Sequence, residues 1–285
     1  MKQEKNIIVF TQQDFQSNFL VNPNPPLGSG HDAKVYLAMH KRTGEIPSQQ
    51  SPVNEIKILK LIDHPGIVQL KGHAQDFTCA LLEYMPHDTF LRILKKGPFH
   101  ISLAKTLACH LIHILATLHN HQVAHCDIKP ENILIAANYQ IKLCDFGFAR
   151  ITQQLSRPPG GTPGYTAPEI YKGNNLDLFK CDIFALGVVI FIIVMGFPPF
   201  QSNDPTLRDQ WWNMILTKQY DIFWKKCEQY KQQKYPQEFK DMIMQMLDPD
   251  PDKRISIDQL IQHSFLQNGA SHEQIVQEVQ KRVKK

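Results

Sequence analysis

Apolar residues recur at helical spacing over residues 103–119, and a loop without helical or strand period follows them. That loop reads His125-Cys126-Asp127-Ile128-Lys129-Pro130-Glu131-Asn132, and Pro130 keeps it from continuing as helix. A short apolar strand over residues 133–135 and an alternating one over 140–143 come next. Upstream, residues 53–61 put Val53, Ile56 and Leu59 on one helical face, with Ile62 just beyond. Residues 19–21 read as a strand that Pro23, Pro25 and Pro26 end. Residues 7–10 read as an extra edge strand, and 64–70 and 79–85 as two more strands. Residues 183–200 carry no charge and reach the length of a membrane span. Gly187 interrupts them and Gly196, Pro198 and Pro199 break their end, so a helix of about 14 residues, buried in a core, is expected instead. Residues 239–247 and 257–263 form amphipathic helices.

The loop after residues 103–119 carries an acid, a cation and an amide. Asp127 can accept a proton, Lys129 can hold an anion, and Asn132 offers an oxygen to a metal. A solvated turn would carry the same residues, and the loop alone leaves both readings open. Composition narrows the class. The chain has 285 residues, 42% of them hydrophobic, and a net charge of +4, too small to argue for nucleic acid. Its six cysteines show no paired spacing, which points to reduced thiols in a cytoplasmic or nuclear protein. Thirteen histidines never fall with cysteine at zinc-finger spacing.

Three motifs stand in order: the loop above, then Asp145-Phe146-Gly147, then Ala167-Pro168-Glu169 at the end of Gly161-Thr162-Pro163-Gly164-Tyr165-Thr166. Together they resemble the eukaryotic protein kinases of serine/threonine type. The resemblance covers residues 15–266. It implies an α+β bilobal fold, with a small β-rich lobe and a large α-helical lobe, and use of ATP and Mg²⁺. It implies that Asp127 orients the substrate hydroxyl and takes its proton, that Lys129 neutralises the transferring phosphoryl group, and that Asn132 and Asp145 hold the metal. Leu27-Gly28-Ser29-Gly30 resembles the loop that covers the phosphates, with Ala33 where a third glycine is usual and Val35 packing on the adenine. Glu83 and Met85 would bond the adenine edge beyond Leu82, and Thr89, with Asp88 beside it, stands where many relatives have a ribose-binding carboxylate. Glu169 with Arg254, and Asp182 with the catalytic-loop backbone, are implied to be structural. Thr162 resembles the residue that bonds the aspartate and lysine of the loop. Segments 179–184, 196–200 and 220–224 resemble the calmodulin-dependent kinase group.

One departure is prominent. After the turn at Gly44 the family has a third strand whose lysine grips the phosphates and pairs with a helix glutamate. Here Ile46-Pro47-Ser48-Gln49-Gln50-Ser51-Pro52 leads straight into the next helix, so Glu55 is kept and its partner is missing. Lys34 lies next to inward-facing Val35 and is expected to point away, and Lys57 lies on a different helix face. The expected function is therefore protein serine/threonine kinase. The alternatives are a pseudokinase acting as a binding or scaffolding module, and a chain that lacks a segment near residues 45–53. Cys126 stands where regulated kinases carry arginine, so phosphorylation at Thr152 or Ser156 is not expected to order the segment around them.

The expected division is an extension over 1–14, a small lobe over 15–85, a large lobe over 86–266 and a basic helical tail over 267–285. Ile275, Val276, Val279 and Val283 share one face of the tail, beside Lys281, Arg282, Lys284 and Lys285. Such a helix caps the large lobe or offers a site to calmodulin or another regulatory partner. A protein substrate is expected, with no nucleic acid and no membrane span.

Overall fold

The computed structural model describes strands at residues 8–10, 19–22, 28–29, 34–40 and 48–50, and residues 53–76, 79–151, 154–155, 161–173, 176–201 and 209–284. The small sheet contains β1 (Ile8–Phe10), β2 (Phe19–Asn22), β3 (Gly28–Ser29), β4 (Lys34–His40), β5 (Ser48–Gln50), β6 (Leu70–Ala74) and β7 (Ala80–Leu82). Its order is β1-β6-β7-β5-β4-β2, with β3 paired to β4. Residues 8–10 do supply an edge strand, β1, which runs parallel to β6.

Two expectations are corrected here. A third strand is present: Ser48 and Gln49 pair with Leu37 and Tyr36 on one side, and Ser48, Gln49 and Gln50 pair with Leu82, Leu81 and Ala80 on the other. Three residues are short for a strand, and the sequence gave no β-branched or alternating signal there. The two neighbouring strands recruit them through backbone pairing, which needs no particular side chain. Residues 64–69 are a turn at Pro65 and Gly66 and an isolated bridge from Ile67 to Leu143, and the strand starts only at Leu70. Gly66 explains the turn, because a Cβ there would lie 2.5 Å from the Ile114 side chain.

Helix α1 (Val53–Leu61) packs on this sheet with Ile56, Ile58 and Leu59 buried, while Val53 is exposed despite its place in the apolar pattern. Beyond β7 come β8 (His87–Thr89), α2 (Phe90–Leu94), α3 (Ile101–Asn120), β9 (Ile133–Ile135) and β10 (Ile141–Leu143). Strands β10, β9 and β8 form a second sheet in that order, and β11 (Gln154–Leu155) pairs with β12 (Leu176–Asp177).

The axis of the larger part is α4 (Leu178–Met195). It has 18 residues rather than 14, because it starts at Leu178, ahead of the apolar run, and passes through Gly187. Glycine is needed there for contact: a Cβ at Gly187 would lie 2.9 Å from Cβ of Met246. The Asp177 carboxylate caps the N-terminus by accepting from the amides of Phe179 and Lys180, and Gly196 ends the helix in the left-handed conformation. Helices α3 and α4 are long and apolar enough to cross a membrane, but 83% of the α4 window is enclosed by the protein. Around α4 lie α5 (Gln210–Leu216), α6 (Tyr220–Lys231), α7 (Gln237–Met246) and α8 (Ile257–Ile261).

The tail is a docked helix, α9 (His272–Lys284), with Ile275 and Val279 buried. Arg282 stacks on Phe99 at 3.8 Å and donates to the carbonyls of Gly97 and Pro98 at 2.6 and 2.9 Å. Two of the four residues on the tail's apolar face are thus fully covered. Truncating Ile275 to alanine removes buried surface and leaves a cavity, so it should cost about 2–5 kcal/mol. Chemical denaturation of the two chains checks this, and an unchanged midpoint would place α9 off the body.

Candidate active site

The loop at residues 125–132 is held from below by Asp182, in the first turns of α4 and 1% exposed. Its carboxylate accepts the amide of His125 on one oxygen and that of Cys126 on the other, both at 2.8 Å. The His119 ring from α3 lies 3.1 Å from the same group. Cys126 sits at φ 65°, which a side chain tolerates only under such constraint. Residues 130–132 form one 3-10 turn with Pro130 at its start, where a missing amide proton does no harm, so Pro130 opens a turn rather than barring one.

On this frame Asp127, Lys129, Asn132 and Thr162 converge. Lys129 Nζ donates to Asp127 Oδ2 and to Thr162 Oγ1, each at 2.7 Å. Thr162 Oγ1 donates to Asp127 Oδ1 at 2.7 Å. Asn132 Nδ2 donates to the Asp127 carbonyl at 2.8 Å and to its Oδ2 at 3.0 Å. Burial pushes the Asp127 carboxyl up, but the bonds from Lys129 and Thr162 and the Lys129 charge outweigh it and hold the group below its ordinary value. Asp127 is therefore an ionised acceptor at neutral pH. With its nitrogen committed to Asp127, Asn132 has its amide oxygen left for a ligand.

Asp145 follows β10 at φ 61°, and its Oδ1 accepts from the Gly147 amide at 3.3 Å. Phe146 is fully buried, its ring 5.0 Å from that of His125. Carboxylate oxygen from Asp145 and amide oxygen from Asn132 are hard donors of the kind Mg²⁺ prefers, so the residues present fit that ion.

Glu55 reaches the same place from α1. It is 1% exposed, and its Oε1 accepts from the Phe146 amide at 3.1 Å. Among the described residues its buried Oε2 has no hydrogen-bond partner. Burial pushes the carboxyl up, the Phe146 amide opposes this and the Asp145 charge adds to it, leaving the group at about 7. The neighbouring Asn54 donates to the carbonyls of Phe146 at 3.2 Å and Ala149 at 2.8 Å.

Towards the nucleotide side, Leu82 ends β7 buried. The Glu83 amide donates to the Gln69 carbonyl at 2.9 Å, so the main-chain group this residue can offer a ligand is its carbonyl. Its side chain pairs with Lys142 at 2.6 Å. Met85 packs against the core. Asp88 pairs with Arg92 and accepts the Thr89 amide, so this acid is occupied locally. Gly28 and Ser29 form β3, paired with Val35 and Lys34 of β4, while Leu27 and Gly30 lie outside the described residues, as do Thr152 and Ser156. Farther away, Arg254 donates to both oxygens of Glu169, at 2.6 and 2.9 Å, and to the carbonyls of Asp248 and Lys180.

Residues 22–266 match the protein kinase domain. The chain belongs to the protein kinase family. Three relatives are serine/threonine-protein kinases. It is 34% identical over 224 residues to the kinase dkf-2 of Caenorhabditis briggsae, which covers 70% of this chain and 18% of that one. It is 31% identical over 265 residues to SIK2 of Gallus gallus, covering 86% of this chain and 32% of the relative. To serine/threonine-protein kinase D3 of Homo sapiens it is 31% identical over 279 residues, 90% of this chain and 30% of the relative. The chain thus spans less than half the length of these relatives. The family is of serine/threonine type, has the α+β bilobal fold, acts on proteins and uses ATP and Mg²⁺.

Sequence reasoning missed Asn54 and His119. The signal for Asn54 was its place beside Glu55 at the start of α1. Nothing local marked His119, whose partner lies 63 positions away. The Glu55 environment gives a stability test. Its carboxyl lies above the ordinary value, so its contribution to stability is complete below about pH 4.5 and is lost as pH rises through about 7. Glu55→Gln removes that loss, worth on the order of 3 kcal/mol. The variant should therefore melt above the parent at pH 8 and close to it at pH 5. A variant melting below the parent at pH 8 would mean that the carboxylate has a counter-charge.

Proposed function

We propose that this chain transfers the ATP γ-phosphate to a serine or threonine hydroxyl of a protein, slowly. One observation carries the reading. Asp127, Lys129, Asn132 and Thr162 are joined in a single hydrogen-bonded set, with Asp127 ionised. Asp127 orients the substrate hydroxyl and accepts its proton as the oxygen attacks. Lys129, 2.7 Å from Asp127, balances charge on the group in transfer. Asn132 and Asp145 would hold Mg²⁺, which when bound neutralises the phosphates. The carbonyl of Glu83 and the amide of Met85 would meet the adenine edge, with Val35 on its face and β3 under the phosphates.

Slowness follows from β5. Its residues are Ser48, Gln49 and Gln50, and none carries a charge. A charge-assisted hydrogen bond contributes about 1.5–3 kcal/mol, so losing one to a phosphate costs roughly 10- to 150-fold in rate. The Oε2 of Glu55, without a partner among the described residues, favours a second reading, in which the chain binds nucleotide as a scaffolding module without turnover. A calmodulin-type partner at the tail would need α9 undocked, since Ile275 and Val279 are buried.

The strand register says where a lysine belongs. Ser48 pairs with Leu82 and Gln50 with Ala80, and directly paired residues share a sheet face. Position 50 is therefore on the Leu82 face, two residues nearer α1 than position 48. In a radiolabelled-ATP assay, Gln50→Lys should raise transfer at least tenfold. Asp127→Asn should abolish it in both backgrounds. No transfer by any variant, with nucleotide binding retained, would establish the scaffolding reading instead.

Metal use has a separate readout. ATP with Mg²⁺ should raise the melting temperature more than ATP alone, because ligand that binds only the folded state stabilises it. Asp145→Ala should remove the difference. Equal shifts with and without Mg²⁺ in the parent would contradict the assignment of Asn132 and Asp145.

A further inference from the structure

Four segments meet around a cleft of about 400 Å³. They are the turn after α1, helix α3, the turn between β9 and β10, and the first turns of α9. That volume is in the range of small-molecule sites. Its floor is apolar, made by Ile114, Ile141 and Ile275. Its rim carries His64, His110, His113 and His272, together with Gln140 and Tyr139. Nothing in the kinase reading uses these residues.

The hydrogen bonds fix which ring nitrogens are donors. His64 Nδ1 accepts the Gly66 amide at 3.0 Å, so the neutral ring carries its proton on Nε2. Gln140 Oε1 accepts from Asn138 at 2.9 Å, which turns Gln140 Nε2 towards His272 Nε2 at 3.1 Å. His272 Nε2 is therefore an acceptor, and its proton is on Nδ1. His113 Nδ1 lies 2.8 Å from the Cys109 carbonyl and must donate to it, so Nε2 becomes a donor only when the ring is protonated. The His110 and His272 rings lie 5.8 Å apart. The rim thus presents donors from two neutral rings, and gains more as the pH falls. Three such side chains do not converge on one point among the described residues, which speaks against a metal.

We propose that this cleft binds a small anionic molecule with an apolar body. Its carboxylate or phosphate lies among the imidazoles and its apolar part lies on the isoleucine floor. Charge favours this ligand. The groups that bear on the rings are Asp63 beside His64 on the turn, Cys109 with His110 and His113 on α3, Tyr139 on the strand turn, and His272 on α9. Two acids stand next to these rings in sequence, Asp63 before His64 and Glu273 after His272. Burial, then the charge of neighbouring imidazoles, holds His64 and His110 below the ordinary histidine value. Without an anion, protonation in the cleft sets like charges against each other across the α3–α9 contact. A bound anion offsets that repulsion and ties α9 to the turn behind the Glu55 helix. Binding therefore strengthens as pH falls from 8 to 6, and it stabilises the docked tail.

The test uses 1-naphthoate, with neutral 1-naphthamide of the same shape as control, in calorimetric titrations of the full chain at pH 6 and pH 8. Saturating Mg²⁺ and ATP keep the probes from the nucleotide site. At pH 6 naphthoate should bind about tenfold tighter than the amide, the worth of one charge-assisted hydrogen bond at a half-exposed site. At pH 8 the preference should shrink severalfold. The double variant H110Q/H272Q should lose both the preference and its pH dependence. Ile141→Ala should weaken both probes alike, and melting curves show that each variant is folded. Equal binding of acid and amide at pH 6, an unaltered double variant, or no heat at millimolar probe would each overturn the proposal. None of these outcomes depends on phosphotransfer, so failure here and failure of the kinase reading are distinguishable.

Discussion

A single buried carboxylate, Asp182, sets the shape of the candidate active site. It stands in the first turns of the most enclosed helix and accepts two consecutive amides of the loop that carries Asp127. Those two bonds hold Cys126 at positive φ, a conformation that costs on the order of 1–3 kcal/mol where nothing compensates. The cost is offset because a buried carboxylate must find donors, and two amides at 2.8 Å satisfy it. With the backbone fixed, Asp127, Lys129 and Asn132 project to one point and Thr162 closes the set. Function at this site depends on the rigidity of α4, and that depends on its burial and on Gly187, which lets Met246 approach.

Around Glu55 the balance is different. Glu55 is buried and feels the charge of the half-buried Asp145, and the sequence of β5 supplies no cation. One bond from the Phe146 amide supports Glu55, and among the described residues its other oxygen has no partner. Asn54 takes over part of the fastening by gripping the carbonyls of Phe146 and Ala149 from the same helix turn. The helix is thus tied to the segment after β10 by an amide side chain, while β5 offers no lysine for the ion pair expected with Glu55. An amide carries no charge to a phosphate, so this fastening can preserve the position of α1 without restoring the chemistry of the lost lysine.

The docked tail packs against residues 93–99 and the turn between β9 and β10. Arg282 pairs with Glu278 at 2.8 Å and lies over Phe99, while His272 and Ile275 join the rim and floor of the histidine-lined cleft. The basic residues that suggested an external partner are partly spent on the protein's own carbonyls. Cation–π stacking and carbonyl bonds suit arginine because its planar fork can do both at once.

Much was legible along the chain because it is local. The loop 125–132, the Asp145-Phe146-Gly147 turn and the Glu169 segment carry their identity in spacing, and α1 and α3 show in their periodicity. Arg254 and Glu169 were paired from the family pattern, and the bidentate bridge between them is a matter of 85 positions in sequence and 2.6 Å in space. Strand β5 was not legible, since Ser48, Gln49 and Gln50 have neither alternation nor β-branching, and only the register of its two neighbours makes them a strand. The exposure of Val53, the role of Asn54, the reach of His119 to Asp182 and the meeting of four histidines from three parts of the chain were likewise decided in space. The physical reason is the same in each case. Periodicity and turn chemistry are properties of neighbours in sequence, whereas burial and hydrogen-bond satisfaction are settled only when distant segments pack together.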